Sequence, residues 1–151
     1  MALANIINDK SKQFNFPLPQ AKLYIQLTDN EKSNIDDIVK KYSLELPYII
    51  YNIDKPNPIL ITKNYLIKFT DNDYLILRLA DITGLNSDEQ ERFFTKQNHP
   101  RNLYKFELTK WIVEINNKTK VEVELEKGEA YYSFYHILKK ILVFKNILPK
   151  I

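Results

Sequence analysis

The chain has 151 residues, a net charge of +3, 44% apolar and 13% aromatic residues, and no cysteine. That length suits one domain with enough core to fold without staples, and the absence of cysteine excludes disulfides, thiolate metal sites and cysteine nucleophiles. Only two glycines occur, Gly84 and Gly128, so no Gly-rich phosphate or dinucleotide loop can be built.

So small a charge lies far from the basic footprint of nucleic-acid binders and disfavours such a partner. No stretch approaches the roughly 20 apolar residues of a membrane span. The opening Met1-Ala2-Leu3-Ala4-Asn5-Ile6-Ile7 lacks the basic start of a secretory signal. The expected setting is a cytoplasm, and the abundance of Asn, Lys, Ile and Tyr suggests a bacterial source.

In chain order, residues 1–20 read as a loosely attached lead, since Pro17 and Pro19 bar a helix through Phe14–Leu18. Lys22–Leu27 alternates as a short strand, although a helical turn fits too. Thr28 or Asp29 caps a helix with Glu31 in its first turn, and Ile35, Ile38, Val39 and Tyr42 repeat along one face. Tyr48–Ile53 is a continuous apolar run suited to a central strand. Ile59–Thr62 and Tyr65–Thr70 flank a turn at Lys63-Asn64, and Asp71-Asn72-Asp73 leads into a third strand, Tyr74–Leu79. The links are too short for parallel crossovers, so the strands form an antiparallel meander. Asp81–Leu85 leaves the sheet, and Ser87-Asp88-Glu89-Gln90 opens a short helix through Phe94. Asn98–Asn102 returns to a long strand, Tyr104–Ile115. Asn116-Asn117 tolerates positive φ and turns the chain into a second strand, Thr119–Glu126, with strict apolar–charged alternation. After Gly128, apolar residues from Tyr131 to Leu142 keep a helical rhythm that Pro149 ends.

The run Ile59-Leu60-Ile61-Thr62-Lys63-Asn64-Tyr65-Leu66-Ile67-Lys68-Phe69 resembles a strand pair of bacterial pleckstrin-homology-like domains. Ile76–Leu85 is similar to the strand that follows it in that family, and the closing hairpin and long C-terminal helix match too. The resemblance covers residues 47–146 and departs from the pattern at Asn64, where Arg is frequent. It implies a sheet plugged at one end by the last helix, and a binding module rather than an enzyme. Some members hold phosphoinositides on a basic loop between their first two strands. The corresponding loop here, Asp54–Pro58 or Lys63-Asn64, has a single Lys in either case, so lipid binding is not carried over.

The candidate chemistry is sparse. His99 precedes Pro100 in a polar loop, and His136 flanks the apolar face of the last helix. Neither has a second histidine or a carboxylate at ligand spacing, so no metal site is expected. Asp71-Asn72-Asp73 lacks the glycine and glutamate of a calcium loop and reads as a turn. No serine lies in a Gly-flanked elbow. Charge is uneven. Acids dominate from Asp71 to Glu91, whereas after Glu129 the charged residues are Lys139, Lys140, Lys145 and Lys150. Tyr131, Tyr132 and Tyr135 cannot all face one core, so at least one is expected at the surface.

The resulting expectation is an α+β fold: a curved antiparallel sheet of about six or seven strands, a pleckstrin-homology-like barrel, capped by a C-terminal helix and carrying an added N-terminal helix. The function expected is non-catalytic protein binding, of immunity or adaptor type, with no cofactor. Candidate partner contacts are Tyr131, Tyr132, Tyr135, Lys139, Lys140, Asp88, Glu89 and Glu91. The alternatives are an enzyme acting on nucleic acid through His99 and Arg101, and a membrane-surface adaptor using the basic last helix. An exposed edge strand leaves pairing of two copies open.

Overall fold

The computed structural model describes residues 2–71, 73–99, 101 and 103–149. Asn72, Pro100, Asn102 and Lys150, which the sequence reading invokes, lie outside the described residues. The fold is α+β, with four α-helices and two antiparallel sheets of five and three strands among the described residues. These strands do not form the single curved sheet or closed barrel expected. Packing divides the chain into two compact units, Met1–Leu79 and Ala80–Ile151. The division falls inside the 47–146 stretch.

The first unit opens with α1 (Leu3–Gln13), in a region read as a loose lead. Its Ile6 and Ile7 are buried, so this helix is tied in by its apolar residues. The alternation at Lys22–Leu27 resolves into β1 (Ala21–Leu23) and a 3-10 turn over Tyr24–Gln26. Next comes α2 (Asp29–Lys41), capped as expected by Thr28, whose side chain accepts from the Glu31 N–H while the Glu31 carboxylate accepts from the Thr28 N–H. Four further strands complete a consecutive five-stranded sheet: β2 (Ile49–Tyr51), β3 (Ile59–Ile61), β4 (Tyr65–Thr70) and β5 (Asp73–Arg78). The register pairs Ile50 with Leu60 and Leu60 with Ile67. These residues, with Phe69, form one face of the sheet, which packs with Ile35 and, around it, Ile38, Val39 and Tyr42 of the α2 side. Ile49, Tyr51, Ile59, Ile61 and Leu66 point to the other face and are buried as completely. Burial on both faces explains why these strands read as continuous apolar runs.

The Glu31 carboxylate also accepts from the Lys22 ammonium at 2.9 Å. That bond, with the Thr28 N–H, holds the Glu31 pKa below the ordinary carboxylate range. Stability from a depressed carboxyl is present above its unfolded value and is lost as pH falls through the folded one. Acidification from about pH 6 to about pH 3 is expected to lower stability through this group. Glu31→Gln should remove that part of the pH dependence, measured by urea unfolding at the two pH values.

The second unit begins where the ladder of β4 and β5 stops. A 3-10 turn over Leu79–Asp81 redirects the chain, and β6 (Ile82–Ser87) pairs with β7 (Lys110–Ile115) rather than with β5. The sequence predicts Asp81–Leu85 as chain leaving the sheet. It does leave the first sheet, but it becomes an edge of another, with a register shift between Ile82 and Gly84. The expected strand start at Tyr104 is also corrected. Leu103–Glu107 is a 3-10 helix, and strand begins at Lys110. The β7–β8 hairpin (β8, Thr119–Glu124) turns at Asn116 and Asn117, whose φ of 52° and 60° are the positive angles a tight turn requires. Gly128, at φ 88°, then starts α4 (Glu129–Phe144). At its far end Asn146 takes φ 58°, and the N–H of Ile147 reaches back to the Leu142 carbonyl at 2.8 Å. That is a Schellman ending.

Candidate binding surface

α4 meets its sheet through a stack of rings. Trp111 of β7 lies parallel to Tyr131, with ring centroids 4.5 Å apart, and nearly parallel to Tyr135 at 4.8 Å. Its indole N–H donates to the Tyr131 carbonyl at 2.8 Å. Tyr131 is therefore buried, and burial, with the Glu91 and Asp88 charges nearby, pushes its hydroxyl pKa well up. Tyr132 is half-buried, its hydroxyl donating to the Lys105 carbonyl. Tyr135 is half-buried as well, with the Lys139 ammonium bonded to its hydroxyl at 3.2 Å. Of the three tyrosines Tyr131 is buried under the indole, whereas Tyr132 and Tyr135 each keep part of their surface in solvent. Lys140 is exposed.

The acids proposed with them lie at the start of α3 (Glu89–Asn98). Asp88 is its N-cap, accepting from the Glu91 N–H at 3.0 Å. Glu91 faces inward. Its carboxylate accepts from the N–H groups of Thr109 and Lys110, both at 2.9 Å, and from the Thr109 hydroxyl at 2.6 Å. Glu89 is exposed. His99 caps the other end of α3, its N–H donating to the Thr95 carbonyl at 3.0 Å, and Arg101 is exposed just beyond. Among the described residues no group of three His, Asp or Glu side chains is placed to hold a metal.

The unexpected feature is the orientation of α3. Its inward stripe is Asp88, Glu91, Thr95 and His99, one turn apart along the helix and all polar. No residue of α3 is buried. Phe93 and Phe94 point outward, 60% and 57% exposed, with their rings in edge contact at 5.6 Å. The 3-10 segment Leu103–Glu107 packs against α3, and its Glu107 forms an exposed ion pair with Lys127, just ahead of α4, at 2.9 Å. That pair lowers the Glu107 pKa and raises that of Lys127. In a 3-10 helix residues three apart eclipse, so Leu103 and Phe106 share a face, 57% and 61% exposed, while Tyr104 is buried. A cleft of about 260 Å³ lined by Glu89, Arg92, Phe93, Lys96 and Tyr104 runs alongside.

Leaving four large apolar side chains more than half in water forgoes on the order of 5 kcal/mol of burial. Cations dominate the charge of this stretch, while Glu89 lines the same cleft and Glu107, paired with Lys127, follows Phe106. From Arg92 to Phe106 the chain carries Arg92, Lys96, Arg101 and Lys105 and no acid, and all four cations are exposed. This signal was present in the sequence, but it emerges once the inward face of α3 is known to be polar. A second concavity, of about 460 Å³, lies in the first unit between Ile7, Leu23, Ile25, Leu46, Pro47 and Tyr48, its rim formed by the exposed Ile25 and Leu46.

Comparison with known proteins gives no match: no family model fits the chain, and no curated protein or solved structure matches it. Among the described residues no helix is long and apolar enough to cross a membrane.

Proposed function

We propose that this chain is a non-catalytic docking module whose contact surface is the outward face of α3 and the 3-10 segment after it. One observation carries the reading: α3 is held to its own unit by a carboxylate and turns its phenylalanines to solvent. Large exposed apolar patches rimmed by polar groups mark interaction sites, and a helix anchored through Glu91 can present them without loosening the fold. The class matches the sequence reading, binding rather than catalysis, in a bacterial cytoplasm. The address moves from the α4 tyrosines to Phe93, Phe94, Leu103 and Phe106. A pleckstrin-homology-like architecture is part of the proposal. In its favour stand the β3–β4–β5 meander and the β7–β8 hairpin followed by a long C-terminal helix.

The double substitution Phe93→Ser with Phe94→Ser tests this reading. It should change unfolding free energy by less than about 0.5 kcal/mol, as surface changes do. In native host lysate it should abolish the association of the tagged chain with larger assemblies on a density gradient. A loss of stability above about 2 kcal/mol would mean the rings belong to the core. Unchanged association would remove the face from any role.

A further inference from the structure

From the same face, and resting on the docking reading above, we infer that its partner is the surface of an anionic lipid bilayer. Charge complementarity is the first argument. Arg92, Lys96, Arg101 and Lys105 are exposed in the segment that carries the apolar tips, and of the acids beside it Glu107 is paired with Lys127 while Glu89 shares the cleft with Arg92 and Lys96. A leaflet rich in anionic headgroups attracts such clusters within about a Debye length. Long basic side chains also reach headgroups while their stems lie along apolar surface.

The second argument is the chemistry of the apolar tips. Phe93, Phe94, Leu103 and Phe106 carry no polar atom on their side chains, and each exposes more than half its surface. A protein hot spot seats its anchor in a matched pocket and favours Trp, Tyr and Arg, which bring a hydrogen-bonding group. A bilayer interface needs no matched pocket, because acyl chains conform to whatever enters. Interfacial helices place Phe and Leu on one side and Lys and Arg around them, the composition found here. The exposed face is borne on α3, a helix of 10 residues, and on a 3-10 turn, which fits shallow insertion and not a span. The site owes nothing to the loops at Asp54–Pro58 or Lys63-Asn64.

The test is flotation of the purified chain with vesicles of phosphatidylcholine alone and of phosphatidylcholine mixed with phosphatidylserine. The expected result is binding to the mixed vesicles, little binding to the neutral ones, and release as salt is raised. Phe93→Ser with Phe94→Ser should weaken binding by roughly tenfold or more, and Arg92→Gln with Lys96→Gln by about 25-fold, at about fivefold per cation. Emission of Phe93→Trp, compared with that of the wild-type chain with its buried Trp111, should shift to the blue on adding the mixed vesicles and not on adding the neutral ones. Far-UV circular dichroism establishes that each variant is folded. Failure of the folded wild-type chain to float with anionic vesicles overturns the inference, as does flotation that the phenylalanine pair does not affect. If vesicles fail while the lysate association still depends on Phe93 and Phe94, the docking reading survives and the lipid partner does not.

Discussion

Trp111→Ala is expected to destabilise the Ala80–Ile151 unit by about 3–5 kcal/mol, the range for removing a buried large aromatic. Trp111 is 8% exposed and lies against two tyrosine rings at 4.5 and 4.8 Å. Its removal takes away the stacking surface of both rings and the hydrogen bond from its indole to the Tyr131 carbonyl. Stacked pairs add about 0.5–1.5 kcal/mol beyond area burial, which places the loss toward the upper end of the range. Trp111→Phe keeps a ring between the tyrosines and loses the N–H donor, and should cost about half as much. Urea unfolding followed by far-UV circular dichroism measures both, since the substitution removes the single tryptophan. A cost below about 1 kcal/mol for Trp111→Ala would show that α4 does not depend on the stack.

How far such interactions could be read beforehand depended on whether they follow a period. The cap of α2 was legible because Thr28 and Glu31 stand at a spacing with one local use. The β7–β8 turn was legible because two consecutive asparagines accept positive φ. Both are decided within a few residues of chain. The division into two sheets was not, because nothing in Leu79–Asp81 says whether Ile82 will pair with β5 or with β7, some 30 residues later. Long-range pairing is settled by competition between edges, and Ile82-Thr83-Gly84-Leu85 has too weak an alternation to announce its partner.

The tyrosines are covered more than their spacing suggests for a related reason. Helical spacing shows that Tyr131, Tyr132 and Tyr135 fan over a wide arc, but not that an indole from β7 and the Lys105 carbonyl will cover that arc. With α3 the pattern itself misleads. Apolar residues on a short helix are ordinarily its inward face, yet here Phe93 and Phe94 face water and Glu91 faces in. An inversion of that kind arises when a polar anchor has stronger partners inside than the apolar side chains do. Three donors converge on one carboxylate, and charge-assisted bonds of this sort outweigh ordinary ones roughly twofold.

The anchor is therefore the place to break α3 without touching its outer face. Glu91→Ala should destabilise the Ala80–Ile151 unit by about 3 kcal/mol, because it leaves the N–H groups of Thr109 and Lys110 without their acceptor where β7 begins. Glu91→Gln keeps one carbonyl oxygen to accept and should cost about 1–2 kcal/mol. Glu89→Ala, two positions away and exposed, should stay within about 0.5 kcal/mol of wild type. Urea unfolding ranks the three. Hydrogen exchange locates the effect: amides of α3 should lose protection in Glu91→Ala while those in the middle of α4 keep theirs, since α4 is held by the Trp111 stack instead. Equal stability of Glu91→Ala and Glu89→Ala would mean that the carboxylate does not hold the helix. The outward phenylalanines would then need another cause.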